Sequence, residues 1–173
     1  NIQNGIEINI LNKTNKKDTD YFNVALQEFI ENLPFELTSG QKKVWGEVQS
    51  DLYSKKPMNR LIQGDVGSGK TVIAEMAMFV TVKAGYQGVM MVPTELLAKQ
   101  HLDSLTSDFD KFKIKIGLLC SSMKPAAKKQ ILEKLKSGEI QVLIGTNAVI
   151  QEVVEFKNLG LVVTDEQHRF GVN

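Results

Sequence analysis

Eight residues, Gly64-Asp65-Val66-Gly67-Ser68-Gly69-Lys70-Thr71, follow the apolar pair Leu61-Ile62 and fit the phosphate-loop pattern GxxxxGK[ST] in full. Glycines let such a loop curl until successive backbone N–H groups point inward at phosphate oxygens. Lys70 is spaced to reach the outer phosphates, and the Thr71 hydroxyl is placed to ligate Mg²⁺. A helix beginning near Lys70 adds the positive end of its dipole to the same anion. These residues imply a site for a nucleoside triphosphate. A second constellation, Leu161-Val162-Val163-Thr164-Asp165-Glu166, ends an apolar run on two carboxylates. In a protein with a phosphate loop, Asp165 is expected to hold Mg²⁺ opposite Thr71, and Glu166 to orient or deprotonate the attacking water. Gln167 and His168 follow at once, placed to couple the nucleotide state to another surface.

These residues need a scaffold, and the pattern from Arg60 onward alternates strand and helix. Strands are expected over 61–63, 88–92, 115–119, 141–144 and 161–164, and helices over 70–83, 94–107 and 125–136, with a short one at 147–151. Near-continuous apolar strands are buried on both faces, as in parallel sheets. Alternating β and α elements imply right-handed crossovers with helices on both sides. In such sheets ligands bind at the carboxyl ends of the strands, where each of these motifs falls.

Upstream, Tyr21, Phe22, Ala25, Leu26, Phe29 and Ile30 recur at helical spacing, and Pro34 closes that segment. Thr38 is expected to cap a second helix, with Gln41 completing a capping box and the helix running toward Tyr53. An Ile6-Ile8-Ile10 alternation suggests one edge strand.

The 173 residues suffice for one sizeable core, and the formal net charge of +1 neither announces nor excludes a nucleic-acid partner. Lysines group at 111, 113, 115 and at 124, 128, 129, runs that ordinarily mark solvated faces. The single cysteine, Cys120, ends an apolar run and reads as a buried thiol in a reducing compartment. There is neither a membrane-length apolar stretch nor a signal-peptide pattern, so the expected location is cytoplasmic, with no membrane partner. The chain starts on Asn and reads as a piece of a longer protein.

Several segments together resemble one family. Asp165-Glu166-Gln167-His168-Arg169-Phe170-Gly171 is similar to the DEQHRFG signature of RecG-type ATP-dependent DNA helicases of superfamily 2, and Gln63–Thr71 resembles their motif I. Val92-Pro93-Thr94-Glu95-Leu96-Leu97-Ala98-Lys99-Gln100-His101 resembles motif Ia, which faces the nucleic-acid backbone in that family. Leu33-Pro34-Phe35-Glu36-Leu37-Thr38-Ser39-Gly40-Gln41 resembles the segment ahead of the motor. Gly145-Thr146-Asn147-Ala148 and Glu155–Gly160 match the GTHA and EFKNLG segments, with Asn147 where His is usual. Leu119-Cys120-Ser121-Ser122 stands where LTGS is common.

The resemblance implies an α/β, RecA-like domain of P-loop NTPase type, with a mostly parallel sheet and helices on both faces. It implies ATP and Mg²⁺ as cofactors, ATP contacts from Gly64 to Thr71, and adenine recognition by Gln41. Lys70, Asp165 and Glu166 become the catalytic set. DNA would be held by its backbone, with little sequence preference, through Thr94, Lys99, Gln100, Ser121, Thr146 and Asn147. Residues 1–33 are expected to form a linker and helical segment from a preceding domain, and residues 34–173 the first motor lobe. The wedge domain and the second RecA-like lobe, with its arginine finger, would lie elsewhere in the parent chain. An arginine finger is worth roughly 10³ or more in rate, so the lobe alone is expected to bind ATP and hydrolyse it slowly. The activity implied for the whole protein is ATP-driven remodelling of branched DNA such as stalled forks. Alternatives are the motor of a transcription-repair coupling factor, disfavoured by Gln167, and a nucleotide-binding module without catalysis. A small-molecule kinase would leave Pro93–Glu95 and Asp165–His168 without a role.

Overall fold

Apolar runs and helical periods of this chain become six strands and five helices among the residues that the computed structural model describes: 5–10, 19–52, 58–63, 68–146 and 154–165. In chain order the elements are β1 (Gly5–Ile10), α1 (Thr19–Glu31), α2 (Ser39–Leu52), β2 (Met58–Gln63), α3 (Ser68–Lys83) and β3 (Gln87–Val92). They continue with α4 (Glu95–Phe109), a 3₁₀ turn (Asp110–Phe112), β4 (Ile116–Leu119), α5 (Pro125–Ser137), β5 (Val142–Thr146) and β6 (Leu159–Asp165). The expected strands and long helices are all present. The 147–151 segment lies outside the described residues.

The strands form one sheet in the order β2-β1-β6-β3-β5-β4. β6, β3, β5 and β4 pair in parallel. β1 runs antiparallel to both β2 and β6, so β2 points the same way as the four parallel strands. This corrects the expectation of an edge strand: β1 lies inside the sheet. Its alternating isoleucines could not reveal this, because a period of two distinguishes faces and says nothing about which edges are paired.

Alternate residues of the central strands enter two separate cores, which covers both faces of the sheet with helices. Met90, Val92, Val142, Ile144, Leu161 and Val163 belong to the larger core, with α1 to α4. Val89 and Leu143 join Leu119, Leu135 and Ile140 in the smaller one, beneath α5. Close approach of α3 to β3 depends on Gly88, where a Cβ would stand 1.9 Å from Met78 Sδ. Helix α1 is part of the larger core through Leu26 and Phe29. The Phe29 ring stacks on Phe79 at 4.9 Å and tilts against Phe109 at 5.4 Å, tying α1 to α3 and α4.

One buried amide fastens the far end of the sheet. Gln87 Nε2 donates to the carbonyls of Leu135 (2.9 Å) and Ile140 (2.7 Å), while its Oε1 accepts from the Asn158 N–H (2.8 Å). Thus the end of α5 and the entry to β6 are fixed by a side chain whose polar atoms all have partners. Among the described residues, no helix is long and apolar enough to cross a membrane.

Candidate nucleotide and nucleic-acid site

The strand register brings the chemically relevant residues to one edge. Gln63, the last residue of β2, pairs with Gly5, and Asp165, the last of β6, pairs with Ile6. Val92 pairs with Thr146, and Leu119 with Gly145, at the carboxyl ends of β3, β5 and β4. Ser68, Gly69, Lys70 and Thr71 form the first turn of α3, five residues beyond the end of β2. Their backbone N–H groups therefore include the unpaired donors of a helix N-terminus. Gly64, Asp65, Val66 and Gly67 of the loop lie outside the described residues, as do Glu166, Gln167, His168 and Asn147.

Asp165 is buried, 5% exposed, and its Oδ2 accepts a hydrogen bond from His101 Nε2 at 3.1 Å. His101 comes from α4, on the stripe Ala98, His101, Leu105, Phe109 that faces the core. Sequence reasoning gave weight to His168 and passed over His101. The available signal was its place on an otherwise apolar helical face, where a polar side chain requires a partner.

Gln41 adopts the expected capping box. Its Oε1 accepts from the Thr38 N–H at 2.8 Å, and its own N–H donates to Thr38 Oγ1 at 3.1 Å. A pocket of about 780 Å³ opens beside this segment, lined by Ile30, Leu33, Phe35, Leu37 and Trp45 among others.

Of the described residues expected to meet DNA, Thr94, Ser121 and Thr146 lie at or just beyond strand ends and Lys99 and Gln100 on α4, and two of them are already engaged. Thr94 Oγ1 caps α4 by accepting from the Leu97 N–H at 3.2 Å. Ser121 and Ser122 donate to the two carboxylate oxygens of Glu95 at 3.0 and 2.5 Å. These bonds, Ser122 foremost, hold the Glu95 pKa below the usual carboxylate range. The latch fastens the loop after β4 to the start of α4 and keeps a negative charge there. Thr146 is buried, whereas Lys99 and Gln100 are exposed on α4. Glu95 is a second residue that sequence reasoning missed: only the fold reveals that two serines converge on it from another loop. Cys120 is buried as expected, and burial pushes its thiol pKa up.

With this geometry in place, the comparisons with known proteins are specific. The family model for DEAD/DEAH box helicases matches residues 38–173. The chain belongs to the DEAD/DEAH box helicase family. Within it, the chain is 54% identical over 152 residues to the ATP-dependent DNA helicase RecG of Bacillus subtilis (strain 168), covering 88% of this chain and 22% of that protein. It is 53% identical over 146 residues to RecG of Thermotoga maritima, covering 84% and 19%. A solved structure of RecG bound to a three-way DNA junction superposes with a TM-score of 0.75 at 48% identity, over 87% of this chain and 20% of that one. The resemblance to RecG-type helicases stands, and the fold is that of their RecA-like motor domain. The chain spans about a fifth of the length of these relatives.

Proposed function

We propose that this chain is the first ATP-binding motor lobe of a RecG-like helicase that couples ATP hydrolysis to remodelling of branched DNA. Residues 34–173 carry the motor motifs, and the expected lead-in is built into the same lobe, with β1 inside its sheet and α1 in its larger core. The observation that carries the proposal is the shared sheet edge: the first turn of α3, with Lys70 and Thr71, follows β2, and the buried Asp165 ends β6 at the same level. A hydroxyl and a carboxylate are hard oxygen donors, the set that suits Mg²⁺ when it keeps water and phosphate as its other ligands. Bound with the nucleotide, that ion neutralises charge developing on the phosphate oxygens.

In this assignment Lys70 and the N–H groups of the loop Gly64–Gly69 cradle the phosphates, while Thr71 and Asp165 hold the metal. Glu166 orients the attacking water and accepts its proton. Gln41 reads the base, and Gln167 and His168 relay the nucleotide state. The Gln41 role must share Oε1 with the cap, which a carbonyl oxygen with two lone pairs permits. DNA phosphates meet Lys99, Gln100, Asn147, Thr94, Thr146 and main-chain amides at the strand ends; Ser121 contributes chiefly by shaping its loop. The similar structure, RecG bound to a three-way DNA junction, supports a branched substrate.

The test is nucleotide binding and turnover. Fluorescent ATP should bind this chain in a Mg²⁺-dependent manner and be lost in Lys70→Ala. Turnover should lie roughly 10³-fold or more below that of the two-lobed parent, whose second lobe supplies an arginine finger. Turnover within about tenfold of the parent would refute the half-site assignment.

A further inference from the structure

His101 carries the strongest signal not used by the proposed chemistry. It is a partner of the Asp165 carboxylate: Nε2 to Oδ2, 3.1 Å, both side chains nearly closed to solvent. A carboxylate only accepts, so the proton of this bond resides on Nε2. The bond joins α4 to the end of β6, elements 64 residues apart in sequence. A short carboxylate at a strand end has two rotatable bonds, and the imidazole removes much of that freedom. We infer that His101 is a positioning residue that orients Asp165 for the metal-bound nucleotide; this rests on the nucleotide site proposed above.

The placement of His101 adds a second consequence. Lys99 and Gln100, exposed candidates for phosphate contact, immediately precede it on α4. The start of α4 is latched through Glu95 to Ser121 and Ser122. One helix therefore carries the candidate DNA contacts on its outer face and grips the metal-side carboxylate with its inner face. Groups that hold a metal's carboxylate ligand typically cost 10–100-fold in metal affinity or activity when removed.

The experiment measures the Mg²⁺ enhancement of nucleotide binding, the ratio of Kd for a fluorescent ATP analogue in EDTA to that in excess Mg²⁺. His101→Leu should lower this ratio about tenfold or more, and His101→Gln, which keeps an N–H donor at similar reach, should restore most of it. In an Asp165→Asn background His101→Leu should have little further effect, because the two act as one unit. An unchanged ratio in a folded His101→Leu chain would overturn the inference, as would equal loss in His101→Leu and His101→Gln. Should His101→Leu fail to fold, His101→Ala takes its place in the same comparison with His101→Gln and Asp165→Asn, and an unchanged ratio in it overturns the inference. If the unaltered chain bound the analogue with no Mg²⁺ enhancement, the underlying site assignment would fall and the inference with it.

Discussion

Two buried carboxyl groups in this protein have opposite fates. Asp165 is 5% exposed and Glu75 is 4% exposed, so burial alone does not separate them. Asp165 ends a strand at the sheet edge and meets an imidazole donor. Glu75 sits within α3, where one oxygen has no hydrogen-bond partner and the neighbouring charge, Asp108, has the same sign. Desolvation, followed by the hydrogen bond and repulsion from Asp108, pushes its pKa up to about 10. A carboxyl with a donor at a strand end fits the proposed role of a cation ligand. One embedded between helices beside another acid stays protonated and weakens the fold as pH rises.

The contrast can be broken most forcefully at Asp165. Asp165→Ala should remove the Mg²⁺ enhancement of nucleotide binding by more than about 100-fold, since a metal's electrostatic contribution amounts to several kcal/mol. Calorimetric titration of a Mg²⁺–nucleotide complex checks this. If the enhancement persisted, Asp165 would be a structural acid of the same kind as Glu75.

Glu75 gives the next largest effect, with a sign that can be worked out. Its folded pKa lies above its unfolded value of 4.5. Its contribution is therefore fully present below about pH 4.5 and is lost as pH rises toward 10. By pH 7 the loss is about 3 kcal/mol, and the slope approaches 1.4 kcal/mol per pH unit. Urea unfolding at several pH values should show Glu75→Gln flattening this slope and stabilising the chain at pH 8. Parallel pH profiles for both proteins would mean that Glu75 ionises normally.

Gln87 sharpens the comparison from the other side, as a buried polar group with every atom paired. Gln87→Ala removes the side-chain partner of the Ile140 carbonyl and the Asn158 N–H, while the Leu135 carbonyl keeps the Gly138 and Lys157 N–H groups. Urea unfolding should register a loss of about 2–3 kcal/mol with no pH dependence of its own. A loss below about 0.5 kcal/mol, typical of a surface position, would show that water replaces the amide readily.

Much of this architecture was legible in the residues. The buried strands announced themselves as apolar runs, α4 began at its Thr94 cap, and α2 carried its Thr38–Gln41 box. The boundaries moved by only a few residues. The 3₁₀ turn at Asp110–Phe112 went unforeseen: it opens on Asp110 and closes on Lys113, which takes a left-handed φ of 58°. The candidate site was readable as motifs only where its residues are contiguous, as in Gly64–Thr71 and Asp165–Glu166, whose roles are proposals. It was illegible where it depends on distant pairs: His101 with Asp165, and Glu95 with Ser121 and Ser122.

By itself the sequence determined the strand–helix alternation, the phosphate-loop motif and the family, because periodicity, capping and motif spacing are properties of neighbouring residues. The tertiary structure alone decided that β1 enters the sheet between β2 and β6, that the serines after β4 are spent on Glu95, and that an overlooked histidine hydrogen-bonds Asp165 at the end of β6. Strand pairing and buried hydrogen bonds join residues far apart in the chain. Their partners are chosen by which groups the packed core leaves in need of one another.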